Sequence, residues 1–338
     1  MKILKLITFI SCLLCISAVN AKTFKIASTA PDGSYWMKQM RAGSEVIKKL
    51  TEGRVKFKFY PGGVMGSEEV VLKKIRIRQL HGAAVSNGVL SKFYPDSQIY
   101  TLPMLFNTFK EVDYIRSTID EKIIKGLNDA GMISFGLSEG GFAYAMSTSP
   151  IRKTEDLVNH KVWTPSNNKQ AELTLRSFDI SPIPLNVGDV LAGLQTNLID
   201  TVAVSPIVAI ALQWHTQVKY VTKIPLIYLY ATLLLDKKEF EKISKDDQMI
   251  VTQEMNKVFK KIDSQNRKDN VSAFSALENQ GIKVISPENE ILGNWYKKGE
   301  SARSSLKEQG TISKEMINIV SKLLSEFRIK QENLGAAR

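Results

Sequence analysis

Val55-Lys56-Phe57-Lys58-Phe59-Tyr60-Pro61-Gly62-Gly63 alternates apolar and basic side chains, then breaks on a proline and two glycines. That alternation is the period of a half-buried strand, and the break marks its end. Upstream, Phe24-Lys25-Ile26-Ala27 reads as another strand, and Ser34 to Leu50 carries Trp36 or Met37, Met40, Val46, Ile47 and Leu50 near helical spacing. Downstream, Ser67 is placed to cap a helix through Leu80, and Gly82-Ala83-Ala84-Val85 supplies a third strand. This rhythm predicts an α/β fold: a mostly parallel sheet flanked by helices, with ligand contacts at the carboxyl ends of the strands.

A second unit follows the same logic. Met132 to Leu137, Lys161-Val162-Trp163 and Leu198 to Val204 are strand candidates, with helices expected from about Asn168 to Phe178 and from Asp189 to Gln195. Tyr228 to Leu235 is another strand candidate. Asp246 to about Gln280 has no proline or glycine and predicts one helix of about 35 residues, long enough to span two lobes. Helices near Glu288 to Gln309 and Ser313 to Ile329 close the chain. The expected division is residues 22–140 with about 229–268 in lobe I, and 141–228 with about 269–338 in lobe II.

Met1 to Ala21 reads as a secretory signal: Lys2 and Lys5, a mostly apolar Ile7 to Ile16, then small-residue cleavage at Val19-Asn20-Ala21. The apolar run is too short to cross about 30 Å of hydrocarbon comfortably, which disfavours an uncleaved anchor. Both cysteines, Cys12 and Cys15, lie in this segment, so a mature chain has no disulfide, thiolate metal site or cysteine nucleophile. Removing those 21 residues and two lysines from a 338-residue chain of net charge +12 leaves 317 residues and +10. Runs such as Lys237-Lys238-Glu239 and Lys245-Asp246-Asp247 intersperse the basic residues with acids, the pattern of a solvated helix face, and no nucleic-acid-binding motif accompanies them.

Three early motifs, Ile26-Ala27-Ser28-Thr29-Ala30-Pro31-Asp32-Gly33-Ser34, Tyr60-Pro61-Gly62-Gly63-Val64-Met65-Gly66-Ser67-Glu68 and Leu102-Pro103-Met104-Leu105-Phe106, are followed by Asp156 to Pro165, Pro184-Leu185 leading into Asp189 to Thr196, and Ile199-Asp200. In this order they resemble the solute-binding proteins of tripartite ATP-independent periplasmic (TRAP) transporters, the DctP-type family, over nearly all of the mature chain. The resemblance implies a two-lobed periplasmic protein with strands and a long helix crossing between lobes. It also implies a hinge-closing cleft and delivery of a small molecule to TRAP membrane permease subunits; no cofactor and no catalysis are expected.

The chain departs from that family at the ligand. Typical relatives carry an arginine where Trp163 stands, and often a second basic residue after the Gly-Phe pair, where this chain has Ala143 and Tyr144. An organic acid would have to be held without the usual guanidinium fork; neutral, apolar or cationic ligands and a ligand-bridging cation remain as alternatives. Trp163 is assigned to the cleft lining, against a core tryptophan beside a strand end. Ser86 and Asn87 end a strand and offer hydroxyl and amide groups, or form an ordinary turn. Glu139 is a ligand or cation contact, or a hinge-loop surface residue. Tyr144, Asn186, Ser205, Trp36 and Trp214 complete the candidate ligand-binding set, with core packing the competing reading for both tryptophans. Ser28 to Asp32 suggest an anion site at a helix start, against simple capping by Asp32 and Ser34.

An enzyme finds little support. His81, His160 and His215 are far apart in sequence, and no His-Glu-x-x-His, Gly-x-Ser-x-Gly or Walker loop is present. A secreted hydrolase and a binding protein that serves a sensor are the remaining alternatives.

Overall fold

The computed structural model describes residues 21–336. The expected signal, with Cys12 and Cys15, lies outside them apart from Ala21. In chain order the first elements are β1 (Lys22–Ser28), α1 (Tyr35–Leu50), β2 (Val55–Tyr60), α2 (Glu68–Arg76), β3 (Gly82–Ser86), α3 (Asn87–Leu90), α4 (Phe109–Asp129), β4 (Met132–Ser134) and β5 (Ser138–Ser147). Ser34 and Ser67 accept hydrogen bonds from the N–H groups of Met37 and Val70, so both helices start at side-chain caps. β1 runs parallel to β2 on one side and β3 on the other, with Phe24 opposite Phe57 and Ile26 opposite Phe59.

The chain continues through β6 (Trp163–Pro165), α5 (Lys169–Ser177), β7 (Ile183–Leu185), α6 (Val190–Gln195), β8 (Thr201–Val204) and α7 (Pro206–Ala211). It then forms β9 (Tyr220–Asp236), α8 (Lys237–Phe240), α9 (Lys245–Asn279), β10 (Lys283–Ile285), α10 (Asn289–Glu308) and α11 (Lys314–Ala336). The main sheet runs β2-β1-β3-β9-β5-β8, with β4 and β10 also on β9; β6 and β7 form a separate parallel pair.

The sheet is mixed rather than mostly parallel. β9 meets β3, β4 and β5 antiparallel, and β5 meets β8 antiparallel, because the long strands β5 and β9 carry the chain across the molecule in opposite directions. Residues 138–147 form a strand where only Met132 to Leu137 was expected, and β9 begins eight residues before Tyr228. Both extensions contain a strand breaker, Gly140-Gly141 in one and Pro225 in the other. The β5–β9 ladder is interrupted at those points: the register jumps between Glu139 and Gly141, and again between Ala143, opposite Ile227, and Ala145, opposite Thr222. Bulges therefore accommodate residues that a regular ladder would reject.

α9 is the expected long helix, 35 residues or about 52 Å. Its first half packs Val251, Met255, Val258 and Phe259 with Met40 and Ile47 of α1, while Leu277 near its end joins the larger core containing Val202 and Val221. At the α1 crossing Gly43 is required: a Cβ there would lie 2.4 Å from Val258 Cγ2.

Candidate functional site

A cavity of about 650 Å³ opens where β1, β3 and β6 end. One wall comes from Thr29 after β1, Glu68 and Glu69 in the first turn of α2, and Ser86 and Asn87 after β3. The opposite wall comes from Trp163, Thr164, Asn167, Leu185 and Trp214. The crossing strands provide the floor through Leu226, Leu229 and Tyr230 of β9 with Gly140 and Ala145 of β5, and Trp295 of α10 closes one side.

Two non-glycine residues on this surface, Met104 and Asn167, adopt left-handed backbone at φ 51° and 62°. Such strain persists only where other contacts hold it. The Met104 N–H donates to Leu226 O at 2.6 Å, and Asn167 Nδ2 donates to Glu69 Oε2 at 3.1 Å. That second bond crosses the cavity mouth. Gln170 makes another crossing contact, donating to Thr101 Oγ1 at 2.9 Å and to Gln98 O at 3.3 Å, while Asn168 lies against Gly88.

Of the expected ligand-binding residues, five line this cavity: Trp163, Trp214, Ser86, Asn87 and Asn186. Trp163 and Trp214 are nearly buried and pack edge to face, and the Trp163 N–H donates to Leu185 O. That indole thus offers a wall and no free donor. Asn186 donates to Asp189 at the rim.

Four expected residues lie elsewhere. Glu139 is neither exposed nor in the cavity: at 1% exposure its carboxylate faces α9, accepting from Arg267 Nε (2.6 Å), Asn270 Nδ2 (3.2 Å) and the Tyr228 hydroxyl (3.2 Å). Tyr144 also turns toward α9, packing on Phe274, while its neighbour Ala145 faces the cavity. Trp36 packs edge to face on Phe259 in the α1–α9 core. Ser205 is fully buried at the start of α7 between the lining residues Val204 and Val208. At the expected anion site Ser34 caps α1, Asp32 pairs with Arg41, and only Thr29 reaches the cavity.

Glu68, Lys92, Thr164 and Trp295 line the cavity and were absent from the expected set. Glu68 sits in the Gly66-Ser67-Glu68 motif one residue after a cap, a signal available in sequence. Trp295 had none, because it arrives from a distant helix. Glu68 accepts from the Ser86 N–H and Oγ, both at 3.1 Å. Burial in the cavity raises its carboxyl above the ordinary range, against the opposing pull of those hydrogen bonds and of Lys92.

Folding does unite a serine, a histidine and an aspartate: Ser149 Oγ is 3.3 Å from His160 Nε2, and His160 Nδ1 is 3.1 Å from Asp200 Oδ1. None of the three lines the cavity, Ser149 is exposed, and Asp200 Oδ1 is shared with the Lys161 N–H and the Thr201 hydroxyl. The cluster ties the start of β8 to the segment before β6. Among the described residues no group of three or more His, Cys, Asp or Glu side chains is arranged to hold a metal, and no helix is long and apolar enough to cross a membrane.

Comparison with known proteins places these features in a family. The family described as DctP, bacterial extracellular solute-binding protein, family 7, matches residues 26–309. The chain is similar to the protein YiiZ of Salmonella typhimurium, 28% identical over 214 residues that cover 61% of the chain and 63% of YiiZ, short of two thirds of that relative. Among solved structures it resembles the sugar acid binding protein DctPAm of Advenella mimigardefordensis in complex with galactonate (TM-score 0.83, 21% identity, 91% and 99% of the two chains). It also resembles a TRAP periplasmic solute binding protein of Xanthobacter autotrophicus with bound β-D-galacturonate (TM-score 0.80, 18% identity, 89% and 99%).

Proposed function

The chain belongs to the DctP family of bacterial extracellular solute-binding proteins, and from that membership we propose that it captures a small organic molecule in the cavity and delivers it to a TRAP-type membrane permease. The carrying observation is the cavity itself, floored by the crossing strands, with the exposed Asn167–Glu69 bond and the buried Gln170–Thr101 bond joining its two sides. Contacts of this kind form when two lobes approach and are lost when they part, so a solute that binds both walls favours closure. The proposed lobes are residues 22–140 with about 229–268, and 141–228 with about 269–338. Export through cleavage near Ala21 and release into the periplasm complete the proposal, as does action by binding without catalysis.

Native mass spectrometry of the mature protein, purified without denaturation, should find a co-purifying small molecule. Small-angle scattering should give a smaller radius of gyration with that solute than after its removal. A protein that carries no solute and keeps the same radius across a metabolite screen would overturn the proposal.

A further inference from the structure

We infer that the cavity selects a largely apolar solute whose polar end is an amine or ammonium donor rather than a carboxylate, with that end against Glu68 and the apolar body against Trp163 and Trp214. The inference rests on the solute-binding reading above and names the ligand class.

Charge is the first argument. Among the described residues lining the cavity, three carboxylates, Glu68, Glu69 and Asp189, face one base, Lys92, and no arginine is present. Lys92 Nζ stands 3.6 Å from Glu69 Oε1, so its charge already has a partner. A carboxylate ligand would meet surplus negative charge with no bidentate donor, whereas an ammonium would find one. Glu68 has room for it: a carboxylate has about four lone-pair sites, and the Ser86 N–H and Oγ leave capacity on Oε2. An ammonium beside Glu68 would also favour the charged form that burial opposes.

The wall opposite Glu68 supplies the second argument. Trp163 has its N–H occupied by Leu185 O and presents ring surface, continued by Trp214, Leu226 and Leu229. Gly140 and Ala145 keep the β5 side of the floor short and uncharged. Such a surface takes up an apolar body and supplies no counter-charge.

Calorimetric titration of the mature protein with octylamine, octanol and octanoate at neutral pH tests the assignment. The amine should bind about tenfold or more tightly than the alcohol, and octanoate most weakly of the three. Glu68→Gln, which keeps an acceptor for the Ser86 N–H, should reduce the amine's advantage to about threefold or less without lowering the melting temperature. Octanoate binding as tightly as octylamine, an undiminished amine preference in Glu68→Gln, or no binding of any of the three would overturn the inference. Binding of D-galactonate with lobe closure, and none by the amine, would remove this ligand class while leaving solute capture intact. Failure of solute capture itself would show as no solute in the native mass spectrum and no closure with any compound.

Discussion

The Trp163 and Trp214 rings meet at 77° with centroids 5.1 Å apart, and the Trp163 Nε1 donates to Leu185 O at 3.0 Å. Trp163 is thus a fixed aromatic wall of the cavity. Trp163→Phe keeps most of the ring contact and removes one of the two donors to Leu185 O, the other being the Ser166 N–H at 3.1 Å, and should lower stability by about 1 kcal/mol. Trp163→Ala should lower it by about 3–5 kcal/mol. Urea unfolding measures both, and a wild-type midpoint in the Phe variant would show that the hydrogen bond contributes nothing.

Glu139 tests which face of β5 matters for the ligand. Its buried carboxylate pairs with Arg267, which also reaches Asp113. Glu139→Ala should cost about 3 kcal/mol, because Arg267 would lose its buried partner and Tyr228 and Asn270 would lose an acceptor. Solute affinity at a temperature where the variant is fully folded should match wild type. A large affinity loss with unchanged stability would restore Glu139 to the binding site.

Gly88 bears on closure. A Cβ there would come within 2.7 Å of Asn168 Nδ2, across the mouth of the cavity. Gly88→Val should weaken solute affinity about tenfold, by opposing the closed arrangement, and should enlarge the solute-loaded radius of gyration. Its effect on solute-free stability should be small. Equal radii for variant and wild type would mean that Asn168 simply rotates away.

The start of the described chain carries a pH dependence. Burial works to raise the Glu239 carboxyl, but hydrogen bonds from Lys22 and Lys242 outweigh it and hold the group down at about 2. Because the folded value lies below the unfolded one of about 4.3, this contribution is complete above that range and is lost as pH falls toward 2. Melting temperatures between pH 6 and pH 2.5 should fall more steeply for wild type than for Glu239→Gln. Parallel curves would mean that the pair does not stabilise the folded state.

Much of the local structure was legible because it depends on neighbours in sequence. Ser34 and Ser67 announce helix starts through their own side chains, and the glycine-free run from Asp246 reads directly as α9. Trp163, Ser86 and Asn87 were legible as cavity residues because strand ends and a familiar motif order located them. Glu139 and Tyr144 were misplaced for a physical reason. Residues 138–147 were not read as a strand, and even a strand reading assigns faces only while the ladder is regular, which the β5 bulges interrupt twice. Gly141 takes part in the first bulge with φ +88° and approaches Asn270 so closely that a Cβ would lie 2.5 Å from its amide nitrogen.

By itself the sequence determined the α/β rhythm, the long helix, the family and the absence of an arginine at Trp163. Tertiary structure alone decided that Glu68, Glu69 and Asp189 share one cavity with a single lysine, that Trp295 closes its side, and that Glu139 turns its charge away. Periodicity describes one element at a time. The charge and shape of a cavity are sums over residues more than two hundred positions apart, and only the packed chain brings those terms together.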